Sequence, residues 1–280
     1  MSYKIVVDSC GELPEYLKKD EHFESVPLEI FVDDEHFIDD ESFQQAEFLK
    51  VSAASPNCPK STCPSPERYL NAFKGEADRV YAVTLSSKLS GSYNSAELGK
   101  SLYLEEQDDK NIHIFDSKSA SIGETLIALK IRELEEAGGL TFEEVVQKTE
   151  KYVNEMNTFF VLETLDTLRK NGRLSNLKAF VASALNIKPV MGATPEGEIC
   201  QLDQSRGMNK ALDKMISTMI SMTKNCESKI LAISHCNCPE RARMVKEKIE
   251  KLVKFKEIFL IDTAGISTMY ANNGGVIMAV

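Results

Sequence analysis

The chain has 280 residues and a formal net charge of −10 at pH 7, which is enough length for one large domain or two ordinary ones. Its acidic excess argues against nonspecific nucleic-acid binding, because that binding depends on neutralising phosphates with Lys and Arg. No apolar run approaches the roughly 20 residues of a membrane span, and the N-terminus enters a strand without signal-peptide features, so we expect a cytoplasmic protein.

In the first half of the chain, short β-branched runs alternate with amphipathic runs, which is typical of βαβ units and a parallel sheet. Strands are predicted at residues 4–7, 26–32, 80–83 and 111–115. Helices are predicted at residues 13–19, 42–52, 96–103, 121–137 and 141–156, and also from Pro66 onward, where Ser65 is the N-cap. The acidic residues 33–40 predict a hairpin, and four prolines among residues 55–66 predict an ordered loop.

After residue 157 the pattern changes. Strands are predicted at residues 158–161, 187–190, 198–202, 229–234 and 258–261. Helices are predicted at residues 166–171, 176–185, 207–223 and 239–254. Thr194-Pro-Glu-Gly197 predicts a hairpin turn, and the tail turns at Gly274 and Gly275 before an apolar end. We therefore predict an α/β protein of two domains. Residues 1–157 form the first, with a parallel sheet and flanking helices, and residues 158–280 form a mixed α/β domain.

The most informative stretch is Thr84-Leu-Ser-Ser-Lys-Leu-Ser-Gly-Ser-Tyr-Asn-Ser95, between a predicted strand and a predicted helix. Six of its twelve residues carry a small hydroxyl, and Gly91 allows a tight turn or a close ligand. Ser90 is the predicted N-cap, so the amides behind it favour a phosphate or a carboxylate. A capped helix with spare serines explains the same residues equally well.

Other strand ends and helix starts carry similar groups. Asp8-Ser9 follows the first strand, and Asp116-Ser117 repeats the pair after the strand at residues 111–115. In open α/β sheets, ligands gather at this edge. Ser61 and Thr62 precede the helix that begins at Pro66, so they form a second hydroxyl pair beside a helix start, unless they are solvated loop residues.

The seven cysteines do not suggest a disulfide framework in a chain of this size. Cys58 and Cys63 flank a loop, and His235-Cys-Asn-Cys238 is a second cluster. Neither supplies four ligands at the spacing that zinc requires. We expect reduced thiols, no metal and no cofactor.

Four segments occur in an order that resembles the DegV family of bacterial fatty-acid-binding proteins. They are Asp8-Ser9, Lys60-Ser-Thr-Cys-Pro-Ser-Pro66, Ser86-Ser-Lys-Leu-Ser-Gly-Ser-Tyr-Asn-Ser95 and Leu168-Arg-Lys-Asn-Gly-Arg-Leu-Ser175. The resemblance covers nearly the whole chain. It implies a two-domain α/β protein that holds one long-chain fatty acid in a tunnel between its domains. It also implies the carrier subunit of fatty acid kinase, a role in phospholipid metabolism that allows transient membrane contact. A separate ATP-using subunit phosphorylates the presented carboxylate.

The resemblance also assigns head-group residues. Ser61, Thr62 and Ser90 resemble the family's head-group hydroxyls, with Gly91 and Ser92 beside them, and Ser92 stands where Thr is common. The usual Thr-Ser-Gln-Pro reads Ser-Thr-Cys-Pro here, which leaves open whether Ser61 or Thr62 makes the contact. Neutral donors suit a carboxylate that must later be phosphorylated, because a bidentate Arg would blunt its nucleophilicity.

Two further residues take their roles from the resemblance. Arg206 resembles a basic residue that engages the kinase subunit, although an exposed arginine after a strand explains it equally well. The family often has a His near the head group, and the matching stretch here is Tyr270-Ala-Asn-Asn-Gly274. Tyr270 donates a hydrogen bond but does not change charge near neutral pH.

Two other classes of function use the same helix start. In a serine hydrolase Ser90 would be the nucleophile, but no histidine of the sequence stands in a recognisable triad context. A phosphate- or nucleotide-binding protein would use the amides, but neither Gly-x-Gly-x-x-Gly nor a Gly-Lys-Ser/Thr loop is present. The sequence favours a lipid carrier.

Overall fold

The computed structural model describes residues 2–107, 110–174 and 186–280. The helix predicted at residues 176–185 lies outside these residues, as does Ser175, the last residue of the Leu168 segment. The strands are β1 (Tyr3–Asp8), β2 (Phe23–Val26), β3 (Glu29–Val32), β4 (Glu35–Ile38), β5 (Lys60–Thr62), β6 (Arg79–Thr84), β7 (Asn111–Asp116), β8 (Thr158–Val161), β9 (Ile187–Ala193), β10 (Ile199–Arg206), β11 (Ile230–His235), β12 (Glu257–Asp262) and β13 (Val276–Ala279).

The helices are α1 (Glu15–Lys18), α2 (Gln45–Ala54), α3 (Pro66–Phe73), α4 (Ser92–Glu106), α5 (Ile122–Ala137), α6 (Phe142–Glu155), α7 (Asp166–Lys170), α8 (Met208–Met222), α9 (Pro239–Leu252) and α10 (Gly265–Ala271), with a 3₁₀ turn at Cys226–Ser228. Among the described residues, no helix combines the length and apolar character needed to cross a bilayer. The predicted N-caps of α3 and α6 are present: Ser65 accepts a hydrogen bond from the Arg68 amide, and Thr141 forms a complete capping box with Glu144.

The N-terminal sheet has the strand order β2-β1-β6-β7, and all its strands are parallel. Apolar clusters cover both of its faces, because the central strands β1 and β6 are buried on both sides. The α/β class with a parallel sheet is therefore confirmed. The parallel arrangement also brings Asp8, Thr84 and Asp116 to one edge of the sheet.

The predicted strand at residues 26–32 is two strands. β2 ends at Val26 in the parallel sheet, and β3 begins at Glu29 in a three-stranded antiparallel sheet of order β4-β3-β5. Pro27 between them has no N–H for a ladder, and the Leu28 amide donates to Ser9 Oγ at 2.9 Å. The predicted hairpin is β3-β4. The proline-rich loop contributes β5, which is an edge strand, the place in a sheet where prolines are tolerated.

The C-terminal sheet has the order β10-β9-β8-β13-β11-β12, and only β11 and β12 pair in parallel. The strands of the N-terminal sheet thus precede α6 in the chain and those of the C-terminal sheet follow it, but helix α5 packs against both sheets. Ile122 and Leu126 of α5 form a buried cluster with Ala232 and Ala279 of the C-terminal sheet. The domain boundary at residue 157 stays a prediction.

Candidate functional site

Two aspartates fix the loop after β6. Each is the last residue of a strand that pairs with β6: Asp8 ends β1 and Asp116 ends β7. The Leu85 amide donates to Asp8 Oδ2 at 3.0 Å, and the Ser87 amide donates to Asp116 Oδ1 at 3.1 Å. Burial raises the pKa of Asp8, and the hydrogen bonds from Ser92 and Leu85 oppose that shift. The repeated Asp-Ser pair of the sequence therefore has a structural use, since its carboxylates fix the backbone of the hydroxyl-rich loop.

Helix α4 begins at Ser92, four residues before the start predicted at residue 96, and Gly91 rather than Ser90 takes the N-cap position. The Ser90 hydroxyl nevertheless accepts a hydrogen bond from the Ser92 amide at 3.2 Å. Ser90 and Gly91 both line a cavity. Within the described residues, no acceptor pairs with the Ser90 hydroxyl proton or with the Gly91 amide. The loop thus places two donors without a protein partner among the described residues at the wall of the cavity.

The β5 edge brings a second set of hydroxyls to the same cavity. Ser61 and Thr62 line it, and Ser61 Oγ lies 3.2 Å from the hydroxyl of Tyr270 in α10. Cys63 adjoins the first loop, since a Cβ placed on Gly91 would lie 3.2 Å from Cys63 Sγ. The structure therefore brings together five of the predicted head-group residues, from three separate parts of the chain: Ser61, Thr62, Ser90, Gly91 and Tyr270.

Tyr270 is a neutral donor in this position. Burial raises the pKa of its phenol, while the hydrogen bond with Ser61 and the charge of Arg173 oppose the shift. The Arg173 guanidinium carbon lies 5.8 Å from the centre of the Tyr270 ring, and its Nε donates to the Leu89 carbonyl at 3.1 Å. Arg173 also lines the cavity. Sequence reasoning missed this residue, although the basic Leu168 segment contains it.

The cavity has a volume of about 370 Å³ and lies between the N-terminal and C-terminal sheets. Apart from the hydroxyl cluster, its wall is dominated by apolar side chains: Leu28, Leu85, Leu89, Phe160, Leu162, Leu168, Ile199, Ile266 and Ile277. Other polar side chains of the wall have partners within the protein. Ser119 Oγ lies 2.6 Å from Thr158 Oγ1, and Lys118 Nζ donates to Asn154 at 2.7 Å. The cavity is thus an apolar space with unpaired donors in one cluster.

Two predicted residues lie away from the cavity wall. Ser92 is fully buried, and its hydroxyl donates to Asp8 Oδ2 at 2.7 Å and lies 2.7 Å from the Tyr69 hydroxyl. The structure therefore differs from the prediction of a head-group contact for Ser92. Arg206 is exposed at the end of β10, about 23 Å along the strand from the cavity residue Ile199.

The serine hydrolase alternative gains nothing from the geometry. A serine nucleophile needs a base within hydrogen-bond reach, and the four histidines, all of them described residues, lie outside the cavity wall. His235, the most buried of them, ends β11 beside Asp262, at 3.1 Å from Nδ1 to Oδ1.

In the described part of the chain, one group of three residues has the proximity of metal ligands: Asp8, Cys10 and Glu124.

Comparison with known proteins gives matches along the whole chain. A family model described as "Uncharacterised protein, DegV family" matches residues 2–279. A DegV domain-containing protein of Streptococcus gordonii is 38% identical over 284 residues, which covers 99% of this chain and 98% of that protein. The crystal structure of a DegV family protein from Ruminococcus gnavus, refined with vaccenic acid, is 55% identical with a TM-score of 0.97 and covers 100% of both chains. The Streptococcus pneumoniae Fatty Acid Kinase (Fak) B3 protein, loaded with linoleic acid, is 35% identical with a TM-score of 0.89, covering 100% of this chain and 99% of that one.

Proposed function

Because this chain belongs to the DegV family, we propose that it binds one long-chain fatty acid in the cavity between its two large sheets. The observation that carries the proposal is the cavity itself, an apolar space with one cluster of unpaired hydroxyl and amide donors. The relatives from Ruminococcus gnavus and Streptococcus pneumoniae hold vaccenic and linoleic acid, which supports the same class of ligand here.

In this proposal the ligand carboxylate lies between the two hydroxyl-bearing loops. Ser90 Oγ and the Gly91 amide donate from one side, and Tyr270 together with Ser61 or Thr62 donates from the other. Hydrogen bonds to an ionised acceptor contribute about 1.5–3 kcal/mol each. Because the pKa of a hydroxyl, a phenol or a backbone amide lies far above that of a carboxylic acid, none of these donors transfers its proton to the carboxylate.

Arg173 changes the expectation that only neutral donors surround the carboxylate. Its Nε is engaged by the Leu89 carbonyl, and another of its nitrogens, Nη1, donates to the Asn171 carbonyl. A guanidinium anchored in this way supplies positive charge near the head group. We assign it the role of offsetting the charge of the carboxylate, and later that of an acyl phosphate.

The acyl tail occupies the apolar part of the cavity, beside Phe160, Leu162 and Ile199. Each buried methylene contributes about 0.8 kcal/mol, so ten of them correspond to roughly 8 kcal/mol, or a micromolar dissociation constant before ordering costs. The tail therefore supplies most of the affinity, and the hydroxyl cluster determines the orientation of the ligand in the cavity.

We further propose that the protein presents the carboxylate to a separate ATP-using kinase subunit, which converts it to an acyl phosphate. The similarity to the Fak B3 protein supports this role, and the exposed position of Arg206 is compatible with partner contact. The assay is acyl-phosphate formation by a purified fatty acid kinase subunit with ATP, trapped as the hydroxamate with hydroxylamine. Product formation that is independent of this protein would contradict the role.

Fatty-acid binding itself is tested by native mass spectrometry of the protein as purified, followed by thermal unfolding after delipidation. A ligand at 100 times its dissociation constant adds about 2.7 kcal/mol to the free energy of unfolding. Palmitate or oleate should then raise the unfolding midpoint by roughly 5 °C in a protein of this size. Octanoate at the same concentration is the control, since its short tail buries few methylenes. No shift with any acid of about twelve to twenty carbons would refute the proposal.

A further inference from the structure

Behind the head-group loop lies a pair of buried carboxyl groups that fatty-acid binding does not itself explain. Asp8 ends β1 and Glu124 lies in the first turn of α5, and both are 0% exposed. Asp8 is well satisfied: Oδ2 accepts from the Leu85 amide and the Ser92 hydroxyl, and Oδ1 accepts from the Cys10 amide at 3.1 Å.

Glu124 has the opposite environment. Neither of its carboxyl oxygens has a hydrogen-bond partner among the described residues. One of them nevertheless lies within 4.8 Å of an Asp8 oxygen and of Cys10 Sγ. An ionised carboxylate without a donor is very costly in a protein interior, and a second negative charge beside it adds repulsion. One proton between the two groups removes both problems, because it makes one carboxyl a donor to the other.

The hydrogen bonds show which group holds the proton. Asp8 receives three donors, which stabilise a carboxylate, whereas Glu124 receives no backbone or hydroxyl donor and lies within 4.8 Å of an Asp8 oxygen that can accept its proton. The pKa shifts of the two carboxyl groups agree with a proton on Glu124. Burial, and after it the negative charge of Asp8, raise the pKa of Glu124 well above its ordinary value. The rise in the pKa of Asp8 that burial produces is opposed by its hydrogen bonds.

We infer that Glu124 carries a proton, donates it in a hydrogen bond to the ionised Asp8, and thereby holds Asp8 in the position that presents Ser90 and Gly91 to the ligand. Asp8 reaches the loop on both sides of these residues, at the Leu85 amide and at the Ser92 hydroxyl. The shared proton also limits the negative charge of the Asp8–Glu124 pair to one unit, which reduces repulsion of the ligand carboxylate. Asp8 and Glu124 are positioning residues in this scheme, which rests on the proposed function.

A bound cation is the alternative explanation of the same cluster. Such a cation would take Cys10 Sγ as a ligand together with oxygens of Asp8 and Glu124. Cys10 Sγ already accepts a hydrogen bond from the Ser121 amide at 3.4 Å. The lone pairs of Asp8 are similarly engaged by three donors. The geometry therefore favours a proton over a metal ion.

The test compares Glu124→Gln, which retains an N–H donor toward Asp8, with Glu124→Met, which removes the donor at similar size. The exposed Glu133→Gln on the same helix is the control. Infrared spectra of the ligand-free protein at about pH 8.5, above the pKa of about 7 of Glu12, should contain a protonated-carboxyl band that Glu124→Gln lacks and Glu133→Gln retains. Glu124→Met should weaken palmitate binding about tenfold, with a smaller loss for hexadecanol, and Glu124→Gln should restore palmitate affinity to within about threefold of wild type.

Several results would overturn the inference. One is a protonated-carboxyl band at about pH 8.5 that Glu124→Gln leaves unchanged, because the proton would then reside elsewhere. Another is stoichiometric divalent metal in the purified protein that is lost in Glu124→Gln, because a cation would then fill the cluster. Equal losses of palmitate and hexadecanol in Glu124→Met would make the pair merely structural. The infrared result does not depend on lipid binding, so a failure of the proposed function in wild-type protein is recognised separately.

Discussion

Replacing Ser90 by Ala is the most direct test of the proposed head-group site. Ser90 accepts a hydrogen bond from the Ser92 amide, and its own proton has no acceptor among the described residues. The substitution therefore removes one donor to the ligand carboxylate and one acceptor at the start of α4. The two losses affect different quantities. The first appears in the dissociation constant of the fatty acid, and the second in the free energy of unfolding of the empty protein.

The expected sizes follow from the two types of hydrogen bond. A donor to an ionised carboxylate contributes about 1.5–3 kcal/mol, so Ser90→Ala should weaken palmitate binding roughly 10- to 150-fold. A neutral hydrogen bond contributes about 0.5–1.5 kcal/mol, so hexadecanol should lose only about 2- to 12-fold. Loss of a helix-start acceptor typically costs about 0.5–2 kcal/mol of stability. Urea unfolding of the delipidated protein measures that cost independently.

Both ligands are titrated calorimetrically against delipidated wild type, Ser90→Ala and a control, Ser101→Ala. Ser101 lies on the same helix, and its hydroxyl donates only to the Glu97 carbonyl at the exposed surface. The control should therefore bind both ligands like the wild type. Equal losses of palmitate and hexadecanol in Ser90→Ala would mean that Ser90 only caps the helix. The assignment of Ser90 to the head group would then be withdrawn.

Three other perturbations separate the tail, the partner surface and the buried acids. Phe160→Ala should weaken the binding of palmitate and of hexadecanol equally, by about 0.8 kcal/mol for each methylene that loses its burial. A loss of affinity for palmitate alone would contradict the position of Phe160 beside the tail. Arg206→Ala should slow hydroxamate-trapped acyl-phosphate formation without changing palmitate affinity, since Arg206 is far from the cavity; abolished lipid binding in a folded variant would make that role wrong. Burial raises the pKa of Glu12 to about 7 from its ordinary 4.5, so the folded protein holds a proton that the unfolded chain lacks between those values. The stability of wild type relative to Glu12→Gln should therefore fall by on the order of 3 kcal/mol as the pH rises from about 4.5 to 7, and a stability difference between the two proteins that does not change with pH would refute the assignment.

Local signals in the sequence were sufficient wherever a few neighbouring residues decide the structure. Ser65, Pro66 and Thr141 mark the starts of α3 and α6 because capping needs only side chains within three residues of the helix start. The buried strand β6 was recognisable as a continuous β-branched and aromatic run. The alternation of strands and helices similarly indicated the parallel sheet.

Helix α10 illustrates why other elements could not be predicted. Its sequence begins with Gly265 and includes the β-branched Ile266, and no side chain of its own caps it. The cap comes from Asp39, whose carboxylate accepts from the Gly265 amide at 2.6 Å and the Ile266 amide at 2.9 Å, across 226 residues of sequence. A helix start that depends on so distant a residue leaves no local pattern. The placement of Tyr270 on that helix was therefore not predictable either.

The site itself shows the same limit. The contact of Ser61 with Tyr270 joins residues 209 apart in sequence, and only the resemblance to a family predicted that both residues lie near one head group. Arg173 was missed because basic residues are common on helix ends, and only the fold shows that this one adjoins the cavity. The strand prediction at residues 26–32 failed for a related reason, since a change of sheet at Pro27 depends on tertiary pairing.

The hydroxyl-rich loop explains why its two interpretations could not be separated from sequence. Most of its hydroxyls are engaged within the protein: Ser86 donates to the Gly197 carbonyl, Ser87 to Asp116 and Ser92 to Asp8. These side chains fix the loop and the helix start, as the capped-helix interpretation expects. Ser90 alone combines a cavity position with a hydroxyl proton that has no acceptor among the described residues. Donors that are free to bind a carboxylate recognise it only if other hydroxyl groups, bonded within the protein, hold them in place. A ligand site and a rigid loop therefore need the same kind of residue at the same spacing.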